Sequence, residues 1–561
     1  MAMRNGSRLV LDALQEAGVD MLFGYPGGQI MPFFDEMFNH PMHHVLTRHE
    51  QMAVHAADGY ARSSGKLGVV VSTSGPGATN LVTGICTAMM DSVPLLCISG
   101  QVPTTMLGSD AFQEADVFGL ATSITKHAYI VRSMEDLPRI IAEAIFIATS
   151  GRPGPVLIDL PSDIQKAETD AVIPTITSLP GYDPRPPVDL GCVAEAQTLL
   201  KAAKKPVCII GGGCRISEAT GLFREWCDKT QVPVVNTMHG SGATAPDYAG
   251  RLGMVGVHGL WRANHAICQS DLIVAMGMRM DDRVTGKVST FAPNAKIIHL
   301  DIDAAELGKL ARVDAPVHAD LRDSLTAWLD VMASDPIEPF TDWQADIAGQ
   351  RHGLGPTVED EPGRVYPTEV LDAMFNKVGV TPFVTTDVGQ NQMWTCQRVV
   401  VDSPRKFLSS GGAGTMGYGL PSAIGAALAN PGEKVICVVG DGGFQMSMGE
   451  LITLNRLRLP VKIMLLDNGV LGMVRQWQEL YFGSRYSGTV LNDNPDFVAL
   501  AKVLGIGAVR LDQPGNIESA LAEWWDNDEP MLLHAKCHPE ENVFPMVSPG
   551  VGLDNTMETK P

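Results

Sequence analysis

The chain reads as an α/β protein of three doubly wound, parallel-sheet domains. Two observations carry that reading. First, nine short apolar runs recur along the sequence: LGVVVST, VPLLCISG, PVLIDLP, PVCIIGGG, DLIVAMG, KIIHLDID, KVICVVGDG, VKIMLLDN and PMLLHAKC. They are continuous rather than alternating, which suits strands covered on both faces, as in parallel sheets. Helix-length segments separate many of them. Second, two Pro-rich stretches without periodicity interrupt the pattern. One covers about 166–191 (IPTITSLPGYDPRPPVDLG) and the other about 334–367 (SDPIEPF, GQRHGLGPTVEDEPG). The cuts leave blocks at 1–165, 190–333 and 367–540, in keeping with about three to four domains for 561 residues. The tail, 541–561, has little helix or strand character. Its composition leaves open disorder or folding over a site.

At the start of the chain, Leu9, Val10, Ala13, Leu14 and Ala17 make one helical face ended by Gly18. No secretory h-region and no membrane-spanning run is seen. The formal charge of -21 argues against nucleic acid and anionic membranes as partners. It leaves room for a small anionic substrate. The ten cysteines are scattered with no CxxC, and several lie inside strand-like runs. Buried thiols, no zinc site and a cytoplasmic location are therefore expected.

In the first block, FGYPGGQI (23–30) is a strand end turning through Pro-Gly-Gly, and STSGPGATN (72–80) is a glycine-rich turn entering a helix. Glu50 lies between them in TRHEQ; on its own it also reads as a solvated helix residue. In the second block, Gly211, Gly212 and Gly213 follow a strand. They suit close approach of backbone to a pyrophosphate, or simply a structural turn. In the third block, one strand delivers Asp441 to its C-terminal tip and the next delivers Asn468. Adjacent parallel strands put both tips on the edge where ligands bind. A carboxylate and an amide oxygen suit Mg²⁺, which takes few protein oxygens. Gly440 and Gly442 let backbone N–H groups approach phosphates. An isolated Asp-Gly also suits a tight turn, but Gly-Asp-Gly followed by this Asn resembles the thiamin-diphosphate motif.

The resemblance extends along the chain. FGYPGG, RHEQ, GYAR, TSGPGATN, GQVP, DAFQE, TKH, GRPGPV, DDRVTGK, DVGQ, GTMGYGLP, GDGGF, LDN and GMVRQW occur in that order, from near residue 5 to near 550. Together they resemble the catalytic subunits of acetohydroxyacid (acetolactate) synthases. The resemblance implies a pyrimidine-binding, an FAD-binding and a diphosphate-binding domain, in chain order. It implies a homodimer or homotetramer whose site joins the first domain of one subunit to the third of another, with a separate small regulatory subunit possible. The expected cofactors are thiamin diphosphate, Mg²⁺ and FAD. The expected reaction decarboxylates pyruvate and ligates the two-carbon unit to pyruvate or 2-ketobutyrate, the first common step of branched-chain amino-acid synthesis.

Site residues follow by the same resemblance. Glu50 would hold the aminopyrimidine in its imino form, with Gln113 in the catalytic pocket. Met416 would sit under the thiamin; ordinary core packing is its other reading. Tyr25, Pro26 and Gly27 would touch the cofactor. Gln390, Asn391, Gly440, Gly442 and Gly443 would meet its phosphates. Asp441, Asn468 and the carbonyl of Val470 would hold the metal. Arg152, Gly211, Gly212, Gly213, Thr237, Met238, His258, Gly277, Arg279, Asp301, Ile302 and Asp320 would bind FAD. Arg283 and Trp477, with Phe112, Met473 and Gly28, would receive substrate. A surface ion pair for Arg283 and a core aromatic for Trp477 are the plainer alternatives. The chain departs from the family pattern at Gln29, Thr105, Ser162 and Val257, and at Asn391 and Gly443, where His and Ser are frequent. Altered inhibitor sensitivity is expected from Gln29, Thr105 and Ser162, which line the access channel in the family. Rival readings are a flavin-free catabolic synthase, a pyruvate oxidase, a 2-ketoacid decarboxylase and a non-catalytic homologue. Arg283 with Trp477 and the FAD residues argue against the first three, and intact Glu50, Asp441 and Asn468 against the last.

Overall fold

Burial on both faces makes each continuous apolar run a strand. The structure, a computed structural model, describes residues 3–350, 354, 358, 361–380 and 382–560. A two-stranded antiparallel ribbon of β1 (Arg4–Asn5) and β8 (Glu168–Thr169) ties the start of the chain to the end of its first unit. Between them lie β2 (Met21–Tyr25), β3 (His43–Leu46), β4 (Gly68–Ser72), β5 (Leu95–Gln101), β6 (His127–Ile130) and β7 (Pro155–Pro161). They form a parallel sheet in the order β3-β2-β4-β5-β7-β6. The second sheet contains β9 (Pro206–Ile210), β10 (Val234–Asn236), β11 (Arg251–Met254), β12 (Leu272–Met276), β13 (Lys296–Asp301) and β14 (Ala315–His318). Its order is β11-β10-β9-β12-β13-β14, again parallel. The third contains β15 (Phe383–Thr386), β16 (Phe407–Leu408), β17 (Val435–Gly440), β18 (Val461–Asp467), β19 (Gly507–Leu511) and β20 (Met531–Lys536). Its order is β16-β15-β17-β18-β20-β19, also parallel. In every sheet the strand order reverses direction along the chain, the topology that leaves a ligand crevice at the carboxyl edge.

The first and third units dock through two helices, Glu50–Ser64 and Gly419–Ala429. Their backbones nearly touch. A Cβ on Gly59 would lie 2.1 Å from Ser422 O, and one on Gly425 1.8 Å from Ala56 O.

One expectation about an irregular segment needs correction, and one open alternative is resolved. The second Pro-rich stretch is not wholly a linker, because Thr341–Gly349 is a helix. It buries Trp343 and Ile347 against the middle sheet, and Trp343 Nε1 donates to Pro206 O at 3.0 Å. The glycine-rich part of that stretch at 351–353, 355–357 and 359–360 lies outside the described residues, as do positions 1, 2 and 561 of the terminal spans. Of the two alternatives for the tail, the folded one holds. Val543 exchanges a pair of hydrogen bonds with the Gln476 amide, at 2.8 and 3.0 Å. Val547 N then donates to Val257 O at 2.7 Å, and Asn264 Nδ2 to Thr556 Oγ1 at 3.0 Å. The tail thus runs from the third unit back to the second. All ten cysteines are free thiols, most of them buried. Among the described residues, no helix is long and apolar enough to cross a membrane.

Candidate active site

The carboxyl edge of the first sheet gathers one group of the expected residues. β2 and β4 end side by side, with Tyr25 opposite Ser72. Their exit turns, Tyr25–Gly28 and Thr73–Asn80, therefore meet. Gln29 N donates to Thr73 Oγ1 at 3.2 Å, and a Cβ on Gly27 would clash with the Thr73 side chain at 2.5 Å. Glu50 opens its helix on the same edge, where the helix dipole favours a carboxylate. Asn80 Nδ2 donates to Glu50 Oε2 at 3.0 Å, and Glu50 Oε1 stands 3.4 Å from where a Gly77 Cβ would be. The RHEQ and GPGATN motifs are therefore one constellation. Gln113, at φ +61°, leans on the same turn, 3.0 Å from a Cβ on Gly75. Its loop is held from beneath, since Gln101 Nε2 donates to Ala115 O (3.1 Å) and to Asp159 Oδ2 (2.8 Å). Burial pushes Asp159 up to about 6, against the lowering hydrogen bonds from Ser99 and Gln101. Phe112, on that loop, is 84% exposed and Tyr25 40%.

The carboxyl edge of the third sheet gathers the second group. β17 and β18 are adjacent and parallel, with Gly440 opposite Leu466. Asp441 and Asn468 therefore leave neighbouring strand tips. Asn468 Nδ2 donates to Gln390 Oε1 at 3.2 Å, which joins the metal-ligand candidates to the phosphate candidates. Asn391 lies beside the same glycines, its Nδ2 3.1 Å from a Cβ on Gly440. Gly443 packs on Asp387, and Gly442 on Met416, whose Cε would be 3.4 Å from its Cβ. Val470 bridges to Val490, which fixes the turn after Asn468. Asn494, absent from the sequence reading, donates to Asp441 Oδ2 at 2.7 Å and to Asp467 Oδ1 at 3.1 Å. Burial and the nearby Asp467 carboxylate raise Asp441 above the usual range. Asp467 is lowered: burial works against it, but bonds from His534 and Lys536 win.

A cavity of about 770 Å³ lies between the three units. Of the expected flavin residues, Arg152, Gly212, Gly213, Thr237, Met238, His258, Gly277, Arg279, Asp301, Ile302 and Asp320 line it. Gly211 stands behind the wall, pressed on Gly277 O, which a Cβ would approach to 2.3 Å. Arg283, Met416, Met473 and Trp477 line the same cavity, so it reaches from the middle sheet to the Met416 loop. Arg283 pairs with Asp282 at 2.9 Å, but both are more than half exposed, so the pair holds it weakly. Trp477 stacks edge-on against Tyr481 at 5.6 Å. Both residues border the cavity.

Its electrostatics are uneven. Burial, then Arg283, lowers His258 to about 4, so its ring is neutral. Burial pushes Asp301 up to about 7, against a backbone bond from Asp303. Asp91 and His239, which the sequence reading passed over, also line the cavity, 3.0 Å apart. Asp91 further accepts from Arg62 (2.9 Å), Gly411 N (3.0 Å) and Gly412 N (2.8 Å). One carboxylate thus ties all three units where the loop to Met416 begins.

The donor sets fit the expected groups. Buried polar atoms without a partner face two of the sites: Asn391 Oδ1 at the third-sheet edge and His258 Nδ1 in the cavity wall. Flipping the Asn391 amide would present Nδ2 to a phosphate. Asp441, the Asn468 amide oxygen and a backbone carbonyl are hard oxygens of the kind Mg²⁺ takes. The cavity volume is in the range of cofactor pockets. Glu50, Gln113 and Tyr25–Gly28 do not line the cavity, and no recorded contact joins them to Asp441 or Asn468 among the described residues.

Comparison with known proteins agrees with this layout. Residues 4–120, 193–328 and 387–535 match the N-terminal TPP-binding, central and C-terminal TPP-binding domains of the thiamine pyrophosphate enzymes. The chain is 45% identical to the acetolactate synthase isozyme 2 large subunit of Escherichia coli, over 99% of both chains. It is 44% identical to a probable acetolactate synthase large subunit of Methanocaldococcus jannaschii, over 99% of this chain and 95% of that one. The acetolactate synthase large subunit of Lactococcus lactis is 43% identical, over 98% and 95%. A full-length match at this identity, on three domains in the same order, means that the chain belongs to the thiamine pyrophosphate enzymes and, within them, to the acetolactate synthase large-subunit family.

Proposed function

We propose that the chain is the catalytic subunit of an acetolactate synthase that uses thiamin diphosphate, Mg²⁺ and FAD in the cytoplasm. Two pyruvates and a proton would give 2-acetolactate and CO₂; 2-ketobutyrate as acceptor would give 2-aceto-2-hydroxybutyrate. The observation that carries this reading is the pairing of β17 with β18, which sets Asp441 and Asn468 on one edge beside Gln390 and Asn391. Thiamin diphosphate, when bound, supplies the electron sink that decarboxylation of a 2-ketoacid requires.

The protein's part is holding and orienting. Gln390, Asn391, Gly440, Gly442 and Gly443 cradle phosphates. Asp441, Asn468 and the Val470 carbonyl hold the metal that neutralises them. Met416 supports the cofactor from the Gly411–Gly417 loop. Glu50, fixed by Asn80, exchanges a proton with the pyrimidine, and Gln113 and Phe112 close the pocket with Tyr25, Pro26, Gly27 and Gly28. These residues come from a second copy of the chain. Exposed Phe112 and Tyr25 at that edge support a homodimer or a dimer of dimers. The large-subunit names of the relatives support a separate small regulatory partner. FAD occupies the cavity between the units, and Arg283 receives the acceptor carboxylate through its fork.

The direct test is acetolactate formation from pyruvate by the purified chain, omitting thiamin diphosphate, Mg²⁺ and FAD in turn. Product that needs all three is expected. Product without FAD would move the chain to the flavin-free type, and CO₂ without acetolactate would make it a decarboxylase.

Trp477 sets the acceptor preference in this reading, because its ring offers apolar surface to the extra methyl of 2-ketobutyrate. One methylene in such a pocket is worth about 1–3 kcal/mol. Trp477→Leu is expected to cut the preference for 2-ketobutyrate over pyruvate by about 10-fold or more. The product ratio from a mixture of both ketoacids measures it, and an unchanged ratio removes Trp477 from the acceptor pocket.

A further inference from the structure

Arg215 lies in the cavity wall, on the turn that follows Gly212 and Gly213. The residue is only 7% exposed. The other cavity arginines each have a carboxylate: Arg152 has Asp303 and Glu306 at 3.0 Å, Arg279 has Asp281 at 3.3 Å, and Arg283 has Asp282 at 2.9 Å. The Arg215 guanidinium has no hydrogen bond or ion pair with any described residue. Asp58 attracts it from a distance, but that carboxylate is taken up by Arg62 at 2.6 Å and Tyr418 at 2.6 Å. Burial, then the repulsion of Arg62 and Arg405, pulls Arg215 down to about 10, so it is still a cation at neutral pH.

A buried guanidinium carries five N–H donors in a fixed fork. Leaving them without an acceptor, among like charges, is costly. The fork matches an anion that offers two oxygens at once, such as a phosphate. Its place narrows the choice. The carboxylate-accepting candidate, Arg283, stands with Trp477 and Met473, whereas Arg215 shares its turn with two glycines whose backbone also lines the cavity.

We propose that Arg215 is the anion anchor of this cavity, pairing its guanidinium with a phosphate group of the bound flavin dinucleotide. The inference rests on the reading of the cavity as an FAD site. It adds a residue that the sequence motifs did not mark, two positions beyond the last of the three glycines that the strand–Gly-Gly-Gly pattern did mark.

The test uses full-length chain freed of flavin, as parent, Arg215→Gln and Arg215→Lys. Each is titrated with FAD and with riboflavin, which lacks phosphate, and binding is followed by flavin fluorescence. Arg215→Gln is expected to weaken FAD by about 10- to 100-fold, the span of one or two charge-assisted bonds, with riboflavin unaffected and Lys restoring part of the loss. A second readout separates anchoring from structure. Removing an uncompensated buried cation leaves the thermal midpoint of the flavin-free protein unchanged or higher, whereas loss of a structural residue lowers it. Unchanged FAD affinity in Arg215→Gln overturns the proposal, as does an equal loss of riboflavin. A parent chain that binds neither flavin overturns the cavity reading itself, and Arg215 with it.

Discussion

Glu50→Gln is expected to lower kcat by about 10²- to 10⁴-fold, the usual contribution of a positioned general acid or base, while thiamin diphosphate still binds. The geometry makes this substitution a clean one. Gln keeps an oxygen to accept from Asn80 Nδ2 and keeps the helix start, so the edge built by the Tyr25–Gly28 and Thr73–Asn80 turns should survive. What disappears is the carboxylate that, in the proposed function, would exchange a proton. Gly77 leaves the second carboxylate oxygen clear, since a Cβ there would stand 3.4 Å from it. In the proposed function that oxygen is the one that would meet the pyrimidine. Two measurements check the idea together: steady-state acetolactate formation, and deuterium exchange at the thiamin C2 position on the enzyme. Both should fall together, with cofactor affinity unchanged. A rate within twofold of the parent would remove Glu50 from the proton path. A loss that vanished at saturating cofactor would make it a binding residue only.

Much of this architecture is legible in the sequence because burial on both faces leaves a simple trace. The nine continuous runs correspond to β4, β5, β7, β9, β12, β13, β17, β18 and β20, all of them inner strands of their sheets. The strands that leave no such run lie mostly toward the sheet edges and are short or mixed. Ala315–His318 exposes alternate residues, His43–Leu46 buries only Val45 fully, and Val234–Asn236 is only three residues long. The third-sheet edge is legible for the same reason, since Asp441 and Asn468 are tied to strand tips by chain connectivity alone. Residues placed by tertiary meeting are not. Asn494 reaches Asp441 across an irregular loop, and Asp91 meets Gly411 across some 320 positions of sequence. Arg215 gives no signal at all, because its meaning lies in the lack of a carboxylate beside it, which only the folded cavity shows. The helix Thr341–Gly349 hides for a different reason: it sits between Pro-rich segments, and only Trp343, Gln344 and Ile347 are buried against the middle unit.

Gly425→Val is expected to abolish the folded, active assembly, and Gly59→Ala to weaken it measurably. The reason lies in the crossing of Glu50–Ser64 with Gly419–Ala429. Each helix offers a glycine to a backbone carbonyl of the other, Gly59 to Ser422 and Gly425 to Ala56. Neither carbonyl is the tip of a flexible side chain, so an added carbon must push the helices apart. Overpacking a core costs about 1–3 kcal/mol and occasionally more; a β-branched side chain at 1.8 Å from rigid backbone belongs at the upper end or beyond it. The consequence is also functional, because this crossing sets where two parts of the site lie. One helix carries Glu50 on its first turn, and the other continues from the loop that holds Met416. Separating them moves the first-sheet edge of the chain relative to the third, so activity should fall even in a variant that retains its secondary structure. Thermal unfolding and limited proteolysis read the stability, and acetolactate formation reads the geometry. Gly221→Ala is the control, since that helical glycine has nothing within 4 Å of a Cβ and should be neutral or slightly stabilising. If Gly425→Val melts within about 1 °C of the parent, well inside the shift expected from a 1 kcal/mol loss in a domain of 150–250 residues, the close crossing is not what holds the first and third units together.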